Sequence, residues 1–135
     1  MTANGSSEIS EEFDLIVIGG GAAGLTAAGV AANLGAKVVM IEAEQLGGDC
    51  TWTGCVPSKA LLRSAKTAHE VRRAGEFGII AENVGVDFQK VMGRVRRLRE
   101  EIYEEDDHPR NFEAMGIDVV HGRARFIDPH VVEVE

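Results

Sequence analysis

The 135-residue sequence has only two cysteines, one tryptophan, one tyrosine and three prolines. Two cysteines close together, Cys50 and Cys55, exclude the disulfide-dense scaffold of a small secreted domain. No apolar run approaches the ~20 residues that a membrane-spanning helix needs. Positive charge is also scarce. Fourteen Lys and Arg face twenty-two Asp and Glu, a formal charge of −8, so neither nucleic acid nor an anionic lipid surface is an expected partner. The first residues, MTANGSSEISEEFD, have no positive region and no apolar stretch of the secretory kind. Residues 1–12 read as a disordered lead, and the reducing cytoplasm is the simplest compartment. Internal repeats and low-complexity tracts are absent.

Glycine is abundant: sixteen residues, well above the usual ~7%. Nine lie between Gly19 and Gly54, which concentrates attention on one segment. Leu15 to Ile18 is a continuous apolar run bounded by glycines, as expected of a strand buried on both faces. Ala22 to Leu34 is a run of small, helix-compatible residues with Gly35 as a C-terminal stop. Val38 to Ile41 is a second apolar run, ending at Glu42. Together these form a βαβ unit close to the ~30 residues expected.

Beyond it, residues 43–49 read as a loop. A helix from about Val56 presents Leu61, Leu62, Ala65, Ala68 and Val71, and Gly75 and Gly78 close it. A second helix, about Asp87 to Glu104, has the apolar stripe Phe88, Val91, Met92, Val95, Leu98 and Ile102. Arg94, Arg96, Arg97 and Arg99 lie mostly off that stripe and read as a solvated face. The run from Glu104 to Asp107 reads as a solvated helix end or loop. Ile117 to Val120 is a third strand, and Asp128-Pro129-His130 joins two further strands as a hairpin turn. The predicted fold class is therefore α/β: a Rossmann-like βαβ fold with a parallel sheet, two further helices and a small β-hairpin.

Gly19-x-Gly21-x-x-Gly24 stands between a strand and a helix, and each glycine has a task. Gly19 permits the tight turn, Gly21 lets the backbone approach a pyrophosphate, and Gly24 lets the helix pack close on the sheet. The N–H groups of Ala22 and Ala23 open the helix toward the phosphates. Glu42 follows 18 residues after Gly24, where an acid accepts hydrogen bonds from ribose hydroxyls and disfavours a 2′-phosphate. These features point to a bound dinucleotide. Ala28 and Ala32 keep the helix thin against the sheet.

Gly47-Gly48-Asp49-Cys50-Thr51-Trp52-Thr53-Gly54-Cys55-Val56-Pro57-Ser58-Lys59 is the second motif. In an ideal helix residues five apart are separated by ~7.5 Å of rise, and a disulfide needs Cα atoms within about 7 Å. A bridge therefore requires a distorted turn, which Gly54 can supply. Pro57 is tolerated only in the first turn of a helix, which places Cys55 near the N-terminus. A thiolate there is favoured by the helix dipole, and Lys59 adds a cation. A redox couple, a metal site and a pair of inert buried cysteines are the readings these residues allow. None of His69, His108, His121 and His130 has metal-finger spacing with the pair.

The glycine loop, Glu42 and above all GGDCTWTGCVPSK resemble the class I pyridine nucleotide–disulfide oxidoreductases. The run GCVPSK-Ala60-Leu61-Leu62 looks most like the mercuric reductase and dihydrolipoamide dehydrogenase branches. Gly122 to Phe126 resembles the family's segment near the flavin adenine, with Ala124 in it. The resemblance covers about Phe13 to Glu135 and implies an N-terminal site for FAD, formed by Gly19, Gly21, Ala22, Ala23, Gly24, Glu42, Gly48, Asp49, Lys59 and Ala124. It implies that Cys50 is the interchange thiol, Cys55 the thiol beside the flavin, and Lys59 the lysine near the reactive flavin nitrogen. Electrons then run from NAD(P)H to FAD, to Cys50–Cys55, and to a small-molecule disulfide or metal-ion substrate.

The sequence departs from the family at Asp49, commonly Thr or Ser, and at Thr51-Trp52. A carboxylate at Asp49 is expected to disfavour the neighbouring thiolate. A second GxGxxG and the His-Glu pair that the family's homodimer partner supplies are not found. The chain is thus expected to be the N-terminal part, residues 13–135, of an FAD domain that does not turn over substrate alone. A non-catalytic adenine-dinucleotide-binding module is the second reading.

Overall fold

The glycine-bounded apolar runs become parallel strands in the computed structural model, which describes residues 11–135. Residues 1–10 of the expected N-terminal lead lie outside the described residues. The chain runs β1 (Leu15–Ile18), α1 (Ala22–Asn33), β2 (Val38–Glu42), α2 (Gly48–Trp52) and α3 (Cys55–Arg72). A 3₁₀ turn (Ala74–Phe77), α4 (Phe88–Ile102), a π turn (Tyr103–Asp107) and α5 (Pro109–Glu113) follow. β3 (Ile117–His121), β4 (Ala124–Asp128) and β5 (Val131–Val134) complete it.

The sheet has the order β1-β2-β3 and all three strands are parallel. Val38 stands between Leu15 and Ile117, and Met40 between Val17 and Val119. Central β2 is buried along Val38 to Ile41. β1, expected to be buried on both faces, is not: Val17 is buried, but Ile18 is 48% exposed. The reason is position, because among the described residues β1 has a neighbour on one side only.

Alpha-1 packs through small residues. Ala28 is fully buried in the cluster of Val17, Val38, Met40, Leu46, Phe112 and Ile117, with Ala32 half-buried against it. Its end is fixed as expected near Gly35. Gly35 N–H donates to Ala32 O at 2.9 Å and Ala36 N–H to Ala31 O at 3.1 Å, with Gly35 at φ +91°. These two bonds form a Schellman motif.

Alpha-3 and α4 pack together as a helical layer. The buried position of α3 is Ala60, whereas Leu62 is 67% exposed and Leu61 is also exposed. The predicted stripe holds at Ala68 and Val71, both half-buried, but in the first turns Ala60 and Ser64 take the inward positions in place of Leu61, Leu62 and Ala65. On α4, Val95 is buried but Phe88, at the first turn, is exposed. Asp87 caps this helix by accepting from Lys90 N–H at 3.0 Å. The hairpin forms as expected, with Asp128 Oδ1 accepting from His130 N–H at 2.6 Å across the turn.

Candidate functional site

The glycine loop, the end of β2 and the cysteine segment meet at one end of the parallel sheet. The first helical bond of α1 runs from Leu25 N–H to Gly21 O at 2.9 Å. The N–H groups of Ala22, Ala23 and Gly24 therefore precede the intrahelical ladder. Gly24 and Gly21 differ physically. A Cβ at Gly24 would fall 1.9 Å from Gly19 O, so helix and loop touch there. A Cβ at Gly21 would meet nothing within 4 Å. Gly24 serves packing, and Gly21 faces open space of the kind a phosphate would fill.

Glu42 lies where the sequence placed it, at the end of β2, but it also braces the loop. Its Oε2 accepts from Gly20 N–H at 2.6 Å and its Oε1 from Glu44 N–H at 2.8 Å. Each oxygen keeps lone pairs for a ribose hydroxyl. A cleft of about 460 Å³ adjoins it, lined by Glu42, Glu44, Gln45, Gly48, Asp49, Trp52 and Thr53. Ala124 lies two residues beyond Gly122, whose N–H donates to Glu42 O at 2.9 Å.

The cysteine segment docks onto the glycine loop through its own glycines. Gly47 N–H donates to Gly20 O at 2.8 Å, and a Cβ on Gly48 would lie 2.9 Å from Gly21 Cα. Gly48 also has φ +54°, so both space and conformation favour glycine. The cysteines do not share one helix. Cys50 is in α2 and Cys55 is the first residue of α3, with a break at Thr53-Gly54. Gly54 makes that break as expected, through close approach: its N–H donates to Asp49 O at 2.5 Å, and a Cβ would sit 2.9 Å from the same oxygen. Both cysteines are free thiols, Cys50 half-buried and Cys55 exposed. Lys59 stands one turn after Cys55 on the same face of α3.

Residues absent from the predicted site complete its support. Thr51, 4% exposed, donates its hydroxyl to Asp107 Oδ2 at 2.5 Å. Asp107 therefore is not a merely solvated helix end; the π turn brings it back over α2. Trp52 Nε1–H donates to Leu46 O at 2.8 Å, and its ring lies 5.2 Å from that of Tyr103. Arg99 donates to Trp52 O at 2.8 Å and Arg94 to Ala60 O at 3.2 Å. The expected solvated arginine face thus holds for Arg96 and Arg97 alone, both exposed. No local signal distinguishes these four arginines in the sequence, since the partners are 34 and 47 residues away.

The surroundings push the Cys50 thiol above its ordinary ionisation range. The neighbouring Cys55 thiol contributes most, then burial, then the charge of Cys55; Lys59 opposes them, and Asp107 adds the smallest upward push. The carboxylate acting on Cys50 is thus that of Asp107. Asp49 was the one expected to act, but its Oδ1 accepts from Thr53 Oγ1 at 3.0 Å instead. Two apolar clefts elsewhere, one beside Phe77 and Ile79 and one between Leu61 and Phe88, include neither the glycine loop nor the cysteines. Among the described residues there is no group of three or more His, Cys, Asp and Glu able to hold a metal ion. No helix among them is long and apolar enough to cross a membrane.

Comparison with known proteins agrees with this geometry. Dihydrolipoyl dehydrogenase of Bacillus subtilis is 37% identical over 123 residues, covering 91% of this chain and 26% of that protein. Dihydrolipoyl dehydrogenase of Staphylococcus aureus is 49% identical over 80 residues, covering 59% of this chain and 17% of that protein. Among solved structures, LpdA of Mycobacterium tuberculosis superposes with TM-score 0.72 at 32% identity, over 84% of this chain and 24% of that one. A Cu(II) complex of the HOCl-induced flavoprotein disulfide reductase RclA of Escherichia coli, in a cysteine-to-serine variant, superposes with TM-score 0.73 at 26% identity, over 93% of this chain and 25% of that one. The chain thus spans about a quarter or less of the length of these relatives. The profile of the pyridine nucleotide-disulphide oxidoreductase family matches residues 13–135, and the chain belongs to that family.

Proposed function

We propose that residues 13–135 are the N-terminal, FAD-binding and dithiol-bearing part of an NAD(P)H-dependent flavoprotein disulfide reductase of the dihydrolipoyl dehydrogenase type. The observation that carries this reading is the docking of the Cys50–Cys55 segment onto the dinucleotide loop, with Gly48 against Gly21. A phosphate-binding turn and a thiol pair so joined suit electron transfer between a bound dinucleotide and a disulfide. FAD supplies, when bound, a two-electron carrier between nicotinamide and thiols. The open face of Gly21, the leading N–H groups of Ala22, Ala23 and Gly24, and the spare lone pairs of Glu42 fit its phosphates and ribose. Gly19, Gly48, Asp49, Lys59 and Ala124 complete the proposed cofactor set.

The roles of the two thiols are those the family resemblance implies. The Cys50 thiolate attacks one sulfur of a substrate disulfide, forms a mixed disulfide and expels the other substrate sulfur as a thiolate, which takes a proton from solvent. Cys55 then loses its proton and attacks Cys50 Sγ. The second substrate thiol leaves, and Cys50–Cys55 becomes a disulfide. The substrate gains the two electrons that the pair loses. The sequence runs backwards equally well, oxidising a dithiol. A metal ion is the second substrate class, a reading compatible with the Cu(II) complex of the related RclA. The intact protein is read as a cytoplasmic homodimer acting on small molecules.

The test is NAD(P)H-dependent reduction of lipoamide by the full-length protein carrying its flavin. Cys50→Ser should abolish turnover while flavin content stays at parental level. Turnover by that variant at the parental rate refutes the reading.

A further inference from the structure

One carboxylate bonded to the cysteine segment comes from neither of its own helices. Asp107 lies at the end of the π turn, 56 residues beyond Thr51, and accepts the Thr51 hydroxyl at 2.5 Å. Thr51 is the residue after Cys50 and is a buried polar side chain. Asp107 Oδ2 also lies against the backbone at Gly47, 2.6 Å from where a Cβ would be. The carboxylate therefore bonds α2 at its buried hydroxyl and abuts its N-cap, Gly47.

A five-residue helix has too few internal bonds to be stable alone. Alpha-2 is held by three outside groups: Asp107 on Thr51, Arg99 on Trp52 O, and Leu46 O on the Trp52 indole. Of these, Asp107 carries a negative charge next to the residue bearing the thiol. The other groups facing Cys50 are Cys55 and Lys59 from α3. Asp49, in α2 itself, is turned to Thr53, and Arg99 from α4 is committed to Trp52.

We propose that Asp107 is a positioning residue of the dithiol site: through the Thr51 hydroxyl it fixes the turn that carries Cys50, and it sets a negative charge against the attacking thiol. The inference rests on the reading of Cys50 as that thiol. An anion close by disfavours a second anion. Loss of that charge should therefore favour the Cys50 thiolate, the form that attacks a disulfide. The upward push on the Cys50 thiol by Asp107 is in the same sense.

The test separates charge from tether. Asp107→Asn keeps an acceptor for Thr51 and removes the charge. Full-length protein is reduced with a phosphine and treated with iodoacetamide between pH 6 and 10, and Cys50 labelling is followed by peptide mass spectrometry. In this reaction the thiolate sulfur displaces iodide. Cys50 in Asp107→Asn should label about threefold faster at pH 7 than in the parent. The melting temperature should stay within a few degrees of the parent. Thr51→Val removes the tether and keeps the charge, so it should lower the melting temperature more than Asp107→Asn does, while Thr51→Ser should keep the parental value. Equal Cys50 labelling in the parent and Asp107→Asn across the pH range, or a parental melting temperature in Thr51→Val, overturns the inference. Failure of the underlying reading shows separately, as disulfide reduction that survives Cys50→Ser.

Discussion

Two glycines of the dinucleotide loop should respond in opposite ways to the same added methyl group. At Gly24 a Cβ would stand 1.9 Å from Gly19 O, 3.0 Å from Gly19 C and 3.2 Å from Val17 Cγ1. Two of those atoms are backbone, and the third belongs to a buried core valine. None can swing aside as a flexible side chain would, so relief requires α1 to back away from the loop by about 1 Å. That displacement loosens Ala28, which is fully buried against β1 and β2. Overpacking of a well-packed contact costs roughly 1–3 kcal/mol and occasionally more, set against a helix-propensity gain of at most about 1 kcal/mol. Gly24→Ala should therefore lose about 1–3 kcal/mol.

Gly21→Ala adds the same methyl to open space, at a residue with φ −80° and ψ −177° that alanine adopts freely. Its stability should change by less than about 0.5 kcal/mol. The methyl would instead occupy the face offered to phosphate, so FAD affinity should fall at least about tenfold, equivalent to ~1.4 kcal/mol. The assays are urea unfolding followed by far-UV circular dichroism, and FAD titration by fluorescence quenching. The reasoning fails if Gly24→Ala is as stable as the parent, or if Gly21→Ala is destabilised as much as Gly24→Ala while binding FAD normally.

Other consequences are equally specific. In the full-length flavoprotein, two-electron reduction should produce a long-wavelength absorbance band that Cys55→Ala abolishes; a band surviving that change contradicts the assignment of Cys55. Because the Cys50 thiol ionises above its ordinary range, the folded state holds its proton more tightly than the unfolded chain. The resulting stabilisation is present below the ordinary thiol range and is lost as pH rises through and beyond it. The melting temperature of the reduced chain should thus fall more between pH 7 and pH 10 than that of Cys50→Ser, and parallel curves contradict this. Trp52→Ala removes the stack on Tyr103, the bond to Leu46 O and the ring beside Arg99. It should cost about 2–4 kcal/mol, read as a lowered urea midpoint, whereas Trp52→Phe should recover most of the loss.

Much of the site was legible because its signals are short-range. The strand, turn and helix around Gly19 to Gly24 follow from apolar runs and from positions where a Cβ cannot fit. The placement of Cys55 at a helix start follows from Pro57 and from Gly54, which makes room for the Asp49 carbonyl. The five-residue cysteine spacing looked awkward on one helix, and the fold resolves it with two helices and a break. The stripe on α3 was misread at Leu61 and Leu62 because small Ala60 is the residue the neighbouring helix can approach closely. Burial of β1 was overestimated because an apolar run shows that a strand is buried, but not on which side its neighbours lie.

Family membership, the dinucleotide turn and the thiol pair were set by the sequence alone, because each depends on residues within about one turn or strand of one another. The partners of α2 were set only by the tertiary structure. Asp107, Arg99 and Tyr103 reach Thr51 and Trp52 from α4 and its π turn, 47 to 56 residues away. Their side chains carry no local pattern, since an acidic run after a helix is as well solvated as it is bonded. Folding α4 and its π turn across α2 decides the matter, by placing one carboxylate of that run over a buried hydroxyl that has to be satisfied.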